Sequence, residues 1–419
     1  MAHQIFYNIG RLYGHFTHDG AICGSDMHAH PFLSEAWMEV MEGVIVATGT
    51  GPVPEADEKT DCSGDWIFPG FCDSHTHLIF AAWRAHEFEQ KIAGASYEDI
   101  AASGGGILNS AEKLAHTPED DLFDSAWQRL LELMEQGTLA VEVKTGYGLS
   151  YEAEMKMLRV AARLKAEAPI PIKVTLLGAH ALPQGYREKR SEYVDMVTER
   201  LIPDAAQAGL MDYVDVFCDQ GFFTPEETAK MLAKAHSLGY RGKIHANELG
   251  HTGGIQVGVE FDARSVDHLE HTGPEELSAL IESDTIPTLL PGTAFFLRIP
   301  YPPARAMIEA GLPVALASDL NPGSCPSGNP WFIWSLACIH LRMSPEEALT
   351  AFTRNSAVAM DLGPFCGSLM PGKWANFNRV KSPPVLGNET PRLSYYPYRF
   401  AVSHKPQVYV KGNRWQTST

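Results

Sequence analysis

The chain has 419 residues, of which 45% are hydrophobic and 20% charged, an ordinary globular balance that excludes disordered and collagen-like proteins. Its 33 basic residues against 51 acidic ones give a formal net charge of −18, which repels phosphate backbones and anionic lipid headgroups, so we expect no nucleic acid or membrane partner. The chain shows neither a signal-peptide layout nor an apolar run of about 20 residues, which favours a cytoplasmic location.

The two ends of the chain are predicted to be β-rich. Residues 37–41 and 44–47 flank Glu42 and Gly43 as a hairpin, and residues 407–413 resemble a strand and a turn. Neither end alone is long enough to bury a good core. We therefore expect residues 1–65 and 366–419 to form one composite β-sandwich domain.

Between the ends, residues 66–365 repeat a short β-branched run, a polar loop and a helical stretch. Helix starts at Thr224 and Ser344 place a hydroxyl at the N-cap, Pro at N1 and Glu at N3. The pattern predicts an α/β fold, a (β/α)₈ TIM-like barrel. A doubly wound sheet is the alternative, but no glycine-rich phosphate loop follows a first strand. The eight predicted strands are 66–68, 140–143, 172–176, 213–217, 243–244, 265–266, 286–290 and 314–317.

Histidines and carboxylates close most of the predicted strands, and in such a barrel these strand ends converge on one face. His75 and His77 are two residues apart on extended chain, so their side chains point the same way. With His245 and Asp319 from two other strand ends, they form a nitrogen and oxygen site suited to Zn²⁺ or Fe²⁺. The alternative is that each of these histidines is a structural residue, hydrogen-bonded within the core. His180 and His268 are further candidates at strand ends.

A second pair, His28 and His30, has the same spacing as His75 and His77. It precedes Pro31 and follows no β-branched run. We therefore interpret His28 and His30 as surface or loop histidines outside the site.

Three stretches, PGFCDSHTHL (69–78), EVKTGYGL (142–149) and ASDLNPGS (317–324), resemble the amidohydrolase superfamily and, more closely, its imidazolonepropionase family of histidine degradation. The resemblance implies a barrel with a β-sandwich from both termini, and hydrolysis of 4-imidazolone-5-propanoate to N-formimidoyl-L-glutamate. It implies one divalent metal ion, Zn or Fe, bound by His75, His77, His245 and Asp319, a small-molecule substrate and a possible homodimer. The substrate contacts that it implies are Arg84, Tyr147, His180, Glu248, Asn321, Gly323 and Ser324.

The residues leave the general base open among Glu248, His268 and Asp319. Glu248 is the first candidate, and its alternative is a carboxylate at a helix N-terminus. Arg84 is the natural anchor for a carboxylate, and its alternative is a surface salt bridge with Glu87 or Glu89. Asn321 and the amides of Gly323 and Ser324 would form a polar floor, whereas Lys144 is expected inside a packed loop.

Two rival functions remain compatible with the pattern. One is another superfamily enzyme, such as a nucleobase aminohydrolase, which would release ammonia. The other is a metal-binding barrel without catalytic turnover.

Overall fold

The computed structural model describes residues 3–94, 105–385, 390–400, 402 and 404–416. These residues form two eight-stranded sheets, one of parallel strands and one built from the two ends of the chain. Helices pack outside the parallel sheet. Within the described part of the chain, no helix combines the length and the apolar character needed to cross a membrane.

The parallel sheet is a barrel whose strands follow one another in chain order. Its ends are joined by a parallel bridge between Thr76 and Leu320 and by two backbone bonds, from His77 N to Leu320 O at 2.9 Å and from Asp319 N to His75 O at 3.0 Å. The predicted barrel is therefore confirmed. Its strands are β6 (Phe71–Thr76), β7 (Thr138–Lys144), β8 (Ile172–Ala179), β9 (Tyr213–Cys218), β10 (Arg241–Ala246), β11 (Ser265–His268), β12 (Ile286–Leu289) and β13 (Ala315–Leu316).

Helices connect the barrel strands, and the two predicted helix starts are confirmed. Thr224 and Ser344 each accept a hydrogen bond from the N3 amide, and Glu227 and Glu347 complete the two capping boxes. The α-helices are Ala85–Ile92, Gly106–His116, Glu119–Glu135, Tyr151–Glu167, Arg190–Met196, Ile202–Gln207, Pro225–Ser237, Gly254–Glu260, Pro274–Ile281, Pro291–Leu297, Ala304–Glu309, Pro330–Ile339, Pro345–Thr350, Ser356–Ala359 and Tyr395–Tyr398. Short 3₁₀ segments span Gly24–His28 and Gln184–Tyr186, and π-helical turns span Val197–Leu201 and Ala351–Asn355.

The second sheet joins the two ends of the chain, as the sequence predicted. The expected hairpin is formed by β2 (Phe32–Met41) and β3 (Val44–Thr50), which pair antiparallel. The expected C-terminal strand and turn are formed by β15 (Gln407–Val410) and β16 (Asn413–Arg414). A β-bridge joins Val44, in the edge strand β3, to Trp374 of the C-terminal segment. The sheet therefore folds back on itself as a sandwich. Its strands are β1 (His3–Tyr13), β2 (Phe32–Met41), β3 (Val44–Thr50), β4 (Glu58–Asp61), β5 (Trp66–Pro69), β14 (Phe377–Val380), β15 (Gln407–Val410) and β16 (Asn413–Arg414).

One predicted barrel strand is wrong. Residues 66–68 lie in β5, which pairs with β1 and β14 of the terminal sheet, and the first barrel strand is β6. Only Gly70 separates β5 from β6, and a Cβ there would lie 2.5 Å from Cβ of Leu139. The glycine thus permits the close approach at which the chain passes from one sheet to the other.

Candidate active site

A cavity of about 370 Å³ opens at the C-terminal ends of the barrel strands. Every side chain predicted for the site lies in or directly beneath it. The predicted residues that line the cavity are His77, Arg84, Tyr147, His180, His245, Glu248, His268, Asp319, Asn321, Gly323 and Ser324, and His75 lies fully buried at its base, where it contacts Asp319.

The four predicted metal ligands lie close together at the base of the cavity. Nε2 of His75 and Nε2 of His77 each lie 3.5 Å from Oδ1 of Asp319, and Nε2 of His245 lies 3.3 Å from Nε2 of His77. Two ligands bound at about 2.0–2.2 Å in a tetrahedral site are about 3.3–3.6 Å apart. The spacing of His75, His77 and Asp319 therefore fits a single small divalent cation, and His245 lies beside His77.

The protonation of the rings also fits a metal. Burial lowers the pKa of His75 and of His77 well below the ordinary value, so both rings are neutral and offer a lone pair. Nε2 of His75 and Oδ1 of Asp319 are buried without a hydrogen-bond partner among the described residues. Imidazole nitrogen and carboxylate oxygen suit Zn²⁺ or Fe²⁺.

Two carboxylates lie on the far side of the histidine rings. Nδ1 of His75 lies 2.6 Å from Oδ2 of Asp267, and Nδ1 of His245 lies 2.9 Å from Oδ2 of Asp215. Asp267 holds the proton on Nδ1 of His75 and so directs the lone pair of Nε2 into the site, as carboxylate–histidine pairs do in metal centres.

Beneath these pairs lies a charged network that the sequence analysis did not find. Nζ of Lys144 is 2.6 Å from Asp215, 2.8 Å from Glu142 and 3.4 Å from Asp267, and Lys243 contacts the other oxygen of Glu142. Burial alone would lower the pKa of Lys144, but the charges of Asp215 and Glu142 raise it well above the ordinary value. The expectation that Lys144 lies inside a packed loop is wrong, because it ends β7 and joins the carboxylates behind two of the four clustered side chains.

His180 and His268 lie beside the same group of side chains. The ring of His180 stacks on that of His77 at 5.1 Å, and the ring of His268 lies 5.3 Å from that of His245. Other groups of three donors are therefore close enough to hold an ion, namely His75 with His245 and His268, and His77 with His180 and His245.

Glu248 and His268 form an acid–base pair beside the cluster. Nδ1 of His268 lies 3.7 Å from Glu248 and 3.8 Å from Glu270. Burial raises the pKa of Glu248 to about 8. Burial alone would lower the pKa of His268, but the charges of Glu248, Glu270 and Asp319 raise it to about 10. The alternative for Glu248, a helix N-terminus, is wrong, since the next helix begins at Gly254.

Arg84 borders the cavity while its guanidinium is paired with a buried carboxylate. It donates to Glu87 at 2.5 Å and also lines the cavity. The alternative of a salt bridge at the surface is wrong, because Glu87 is only 2% exposed. A Cβ at Gly323 would collide with Nη1 of Arg84, so the glycine makes room for the guanidinium.

The polar floor predicted from Asn321, Gly323 and Ser324 is present, but its backbone amides are bonded to Asn321 and do not face the cavity. Its Oδ1 accepts from the amides of Gly323 and Ser324 at 2.8 and 2.7 Å, and its Nδ2 donates to the carbonyl of Asp319 at 2.7 Å. The two amides therefore hold the loop around Asp319, whose φ is +57°, and do not point at a ligand.

The pair His28 and His30 lies outside the cavity, but only His28 is exposed. His30 is 3% exposed and shares a hydrogen bond of 2.8 Å with Thr350. His30 lies in the loop before β2, which agrees with the prediction of a surface or loop histidine, but its ring is buried between Tyr13 and Phe16.

Comparison with known proteins places this arrangement in a family. The model of the amidohydrolase family matches residues 100–385. Curated proteins named imidazolonepropionase match almost the whole chain. The one from Flavobacterium johnsoniae is 45% identical, over 93% of this chain and 94% of that protein. The one from Caldanaerobacter subterraneus subsp. tengcongensis is 38% identical, over 98% of each.

Solved structures share the fold at low sequence identity. An adenosine deaminase from Xanthomonas campestris with bound zinc superposes with a TM-score of 0.71 at 15% identity, over 98% of this chain and 92% of that one. An atrazine chlorohydrolase from Arthrobacter aurescens complexed with zinc gives a TM-score of 0.70 at 17% identity, over 98% and 94%. At such identities the likeness concerns the fold.

Proposed function

The chain belongs to the amidohydrolase family and, within it, to the imidazolonepropionases, and we propose from this that its cavity is where 4-imidazolone-5-propanoate is hydrolysed to N-formimidoyl-L-glutamate. The reaction adds water across a cyclic amide and opens a five-membered ring. The observation that carries the proposal is the grouping of His75, His77 and Asp319, with His245 beside His77, at a cavity that also holds a guanidinium.

These four side chains are the proposed ligands of one divalent ion, zinc or iron. Their support is the donor spacing, the neutral rings of His75 and His77, and the unpartnered atoms His75 Nε2 and Asp319 Oδ1. A bound divalent cation lowers the pKa of a coordinated water from ~15.7 toward ~7 and polarises the carbonyl. Asp267 keeps His75 in the tautomer that can bind it, and Asp215 lies 2.9 Å from Nδ1 of His245.

Glu248 is the proposed general base. A raised pKa brings a carboxylate close to the working pH, where it can both accept a proton and return it. One carboxylate oxygen of Glu248 would take a proton from the attacking water and deliver it to the departing ring nitrogen. Asp319 is less suited, since Thr293 donates to its Oδ2 at 2.5 Å.

His268 is the proposed donor to the oxyanion. Its raised pKa favours the imidazolium, and its Nδ1 faces Glu248 and Glu270. This leaves the Nε2 proton for a developing negative charge on the carbonyl oxygen.

Arg84, Tyr147 and His180 are proposed to hold the substrate. The guanidinium suits a carboxylate. His180 Nδ1 donates to the carbonyl of Gly146 at 2.9 Å, and burial lowers its pKa to about 3. The ring is therefore neutral, and its Nε2 can accept a hydrogen bond from a ring N–H of the substrate. Asn321, Gly323 and Ser324 would shape the floor.

The test is a spectroscopic assay for the disappearance of imidazolonepropanoate, run with elemental analysis of the same purified protein. We expect turnover, about one equivalent of zinc or iron per chain, and no ammonia. Stoichiometric ammonia from a purine or pyrimidine would instead identify an aminohydrolase. Metal-loaded protein that binds imidazolonepropanoate but does not consume it would identify a barrel without turnover.

A further inference from the structure

The cavity contains a second cation beside Arg84. Lys91 lines it with a half-buried side chain, and its Nζ lies 3.3 Å from the carbonyl oxygen of Gly323. The same Nζ lies 5.3 Å from the ring centroid of Phe296. Because Nη1 of Arg84 lies against the Cα of Gly323, both cations border one residue of the cavity wall.

The helix Ala85–Ile92 places the two cations together. Arg84 caps this helix, and positions 84, 87 and 91 follow at the helical spacing of i, i+3 and i+7, which lie on one face. Phe88 stacks on Phe296 at 5.7 Å, so the helix packs on the same ring that faces Lys91 Nζ.

The charges of this group do not balance. Glu87 neutralises Arg84 and also accepts from the amide of Gly106 at 2.8 Å. Among the residues that the structure describes, no carboxylate forms an ion pair with Lys91 Nζ. Burial and the nearby Arg84 lower the pKa of Lys91. Two cations thus share one carboxylate, and a bound anion would relieve their repulsion.

We propose that Lys91 binds the carboxylate of the substrate's propanoate chain together with Arg84 and thereby determines the preference for an anionic substrate. The inference rests on the proposed function. Arg84 supplies two parallel N–H donors and fixes the orientation of the carboxylate. Lys91 supplies the positive charge that Glu87 leaves unmatched at this wall.

The experiment compares two non-reacting probes by calorimetry, 3-(imidazol-4-yl)propanoate and its uncharged primary amide. Lys91→Met removes the charge and keeps an unbranched stem of similar length. Lys113→Met, at an exposed position of the neighbouring helix Gly106–His116, is the matched control. Thermal unfolding verifies that each variant is folded, and Lys91→Gln replaces Lys91→Met if the latter does not fold.

The wild-type protein should bind the carboxylate more tightly than the amide. Since a charged hydrogen bond contributes about a tenfold to hundredfold change in affinity, Lys91→Met should weaken carboxylate binding by that factor and leave amide binding unchanged. Lys113→Met should alter neither. Equal losses for both probes, or unchanged carboxylate binding, would overturn the role of Lys91.

Turnover of imidazolonepropanoate by the same wild-type sample separates this inference from the proposed function. Absent turnover with a charge preference that depends on Lys91 would refute the hydrolysis and retain the anion site. Normal turnover with no such dependence would refute Lys91 alone.

Discussion

Glu248 lies in a pocket where burial raises its pKa more than the positive charge of the neighbouring His268 lowers it. A carboxylate in these surroundings is suited to move a proton between water and a leaving nitrogen. Its position three residues after His245 follows from the chain leaving β10 at the mouth of the barrel. The amide of Glu248 is held there by Oδ2 of Asp219 at 2.7 Å.

Glu248→Gln should retain the metal and lower kcat by about 10²- to 10⁴-fold, the usual contribution of a general base. Steady-state kinetics with elemental analysis measure both quantities. A kcat close to that of the wild type would transfer the base role to His268 or Asp319.

Arg84→Ala should raise KM by about tenfold to a hundredfold, because a charged hydrogen bond to the substrate is lost. The change also leaves the buried Glu87 without its partner, which should lower the free energy of unfolding by about 3–5 kcal/mol. Adding Glu87→Gln should recover much of this stability but not the KM. An unchanged KM in both variants would remove Arg84 from the substrate site.

Seven of the eight barrel strands could be predicted from short β-branched runs because each stands between polar loops and helix-forming stretches. The exception is instructive. Residues 66–72 form a nearly continuous apolar run that contains β5 and the start of β6, and within it only Gly70 marks the crossing between two sheets. Which sheet accepts a strand is decided by distant partners such as Arg379 of β14, and local sequence does not encode them.

The helix Pro225–Ser237 illustrates an element that local sequence does specify. Thr224 accepts from the amide of Glu227, whose carboxylate bonds back to the amide of Thr224. Thr224→Ala should lower the free energy of unfolding by about 0.5–2 kcal/mol. Denaturant titration measures it, and Thr224→Ser, which keeps the hydroxyl, is the control. Equal losses in the two variants would contradict the capping role.

At the scale of the whole molecule, the barrel interior beneath the site is charged. Glu142 and Lys144 of β7 meet Asp215 of β9, Lys243 of β10 and Asp267 of β11 inside the barrel. All five are fully or almost fully buried. The site residues could be predicted because the strand ends are rich in histidine and aspartate. The buried charged network beneath them could not be predicted, because charged residues are mostly exposed. The sequence did carry one indication of this network. Glu142 and Lys144 are two residues apart on β7, and Lys243 and His245 are two residues apart on β10, so each pair places polar side chains on the inner face of a strand that is otherwise apolar.

Lys144→Met should lower the free energy of unfolding by about 3–5 kcal/mol, since it leaves buried carboxylates without a counter-charge. Lys165→Met, which breaks an exposed pair with Asp212, should change it by no more than about 1 kcal/mol. Denaturant titration compares the two variants. Similar small losses for both would show that the network is not held by Lys144.

The measurement that bears most directly on the whole account is the metal content and the imidazolonepropanoate turnover of His75→Ala beside the wild type. His116→Ala, at an exposed histidine outside the cavity, serves as the control. We predict that His75→Ala loses the ion and the activity together, while the wild type and His116→Ala keep about one ion per chain and full turnover. Full activity of His75→Ala with a full complement of metal would contradict a reaction that depends on an ion bound by His75, His77, His245 and Asp319.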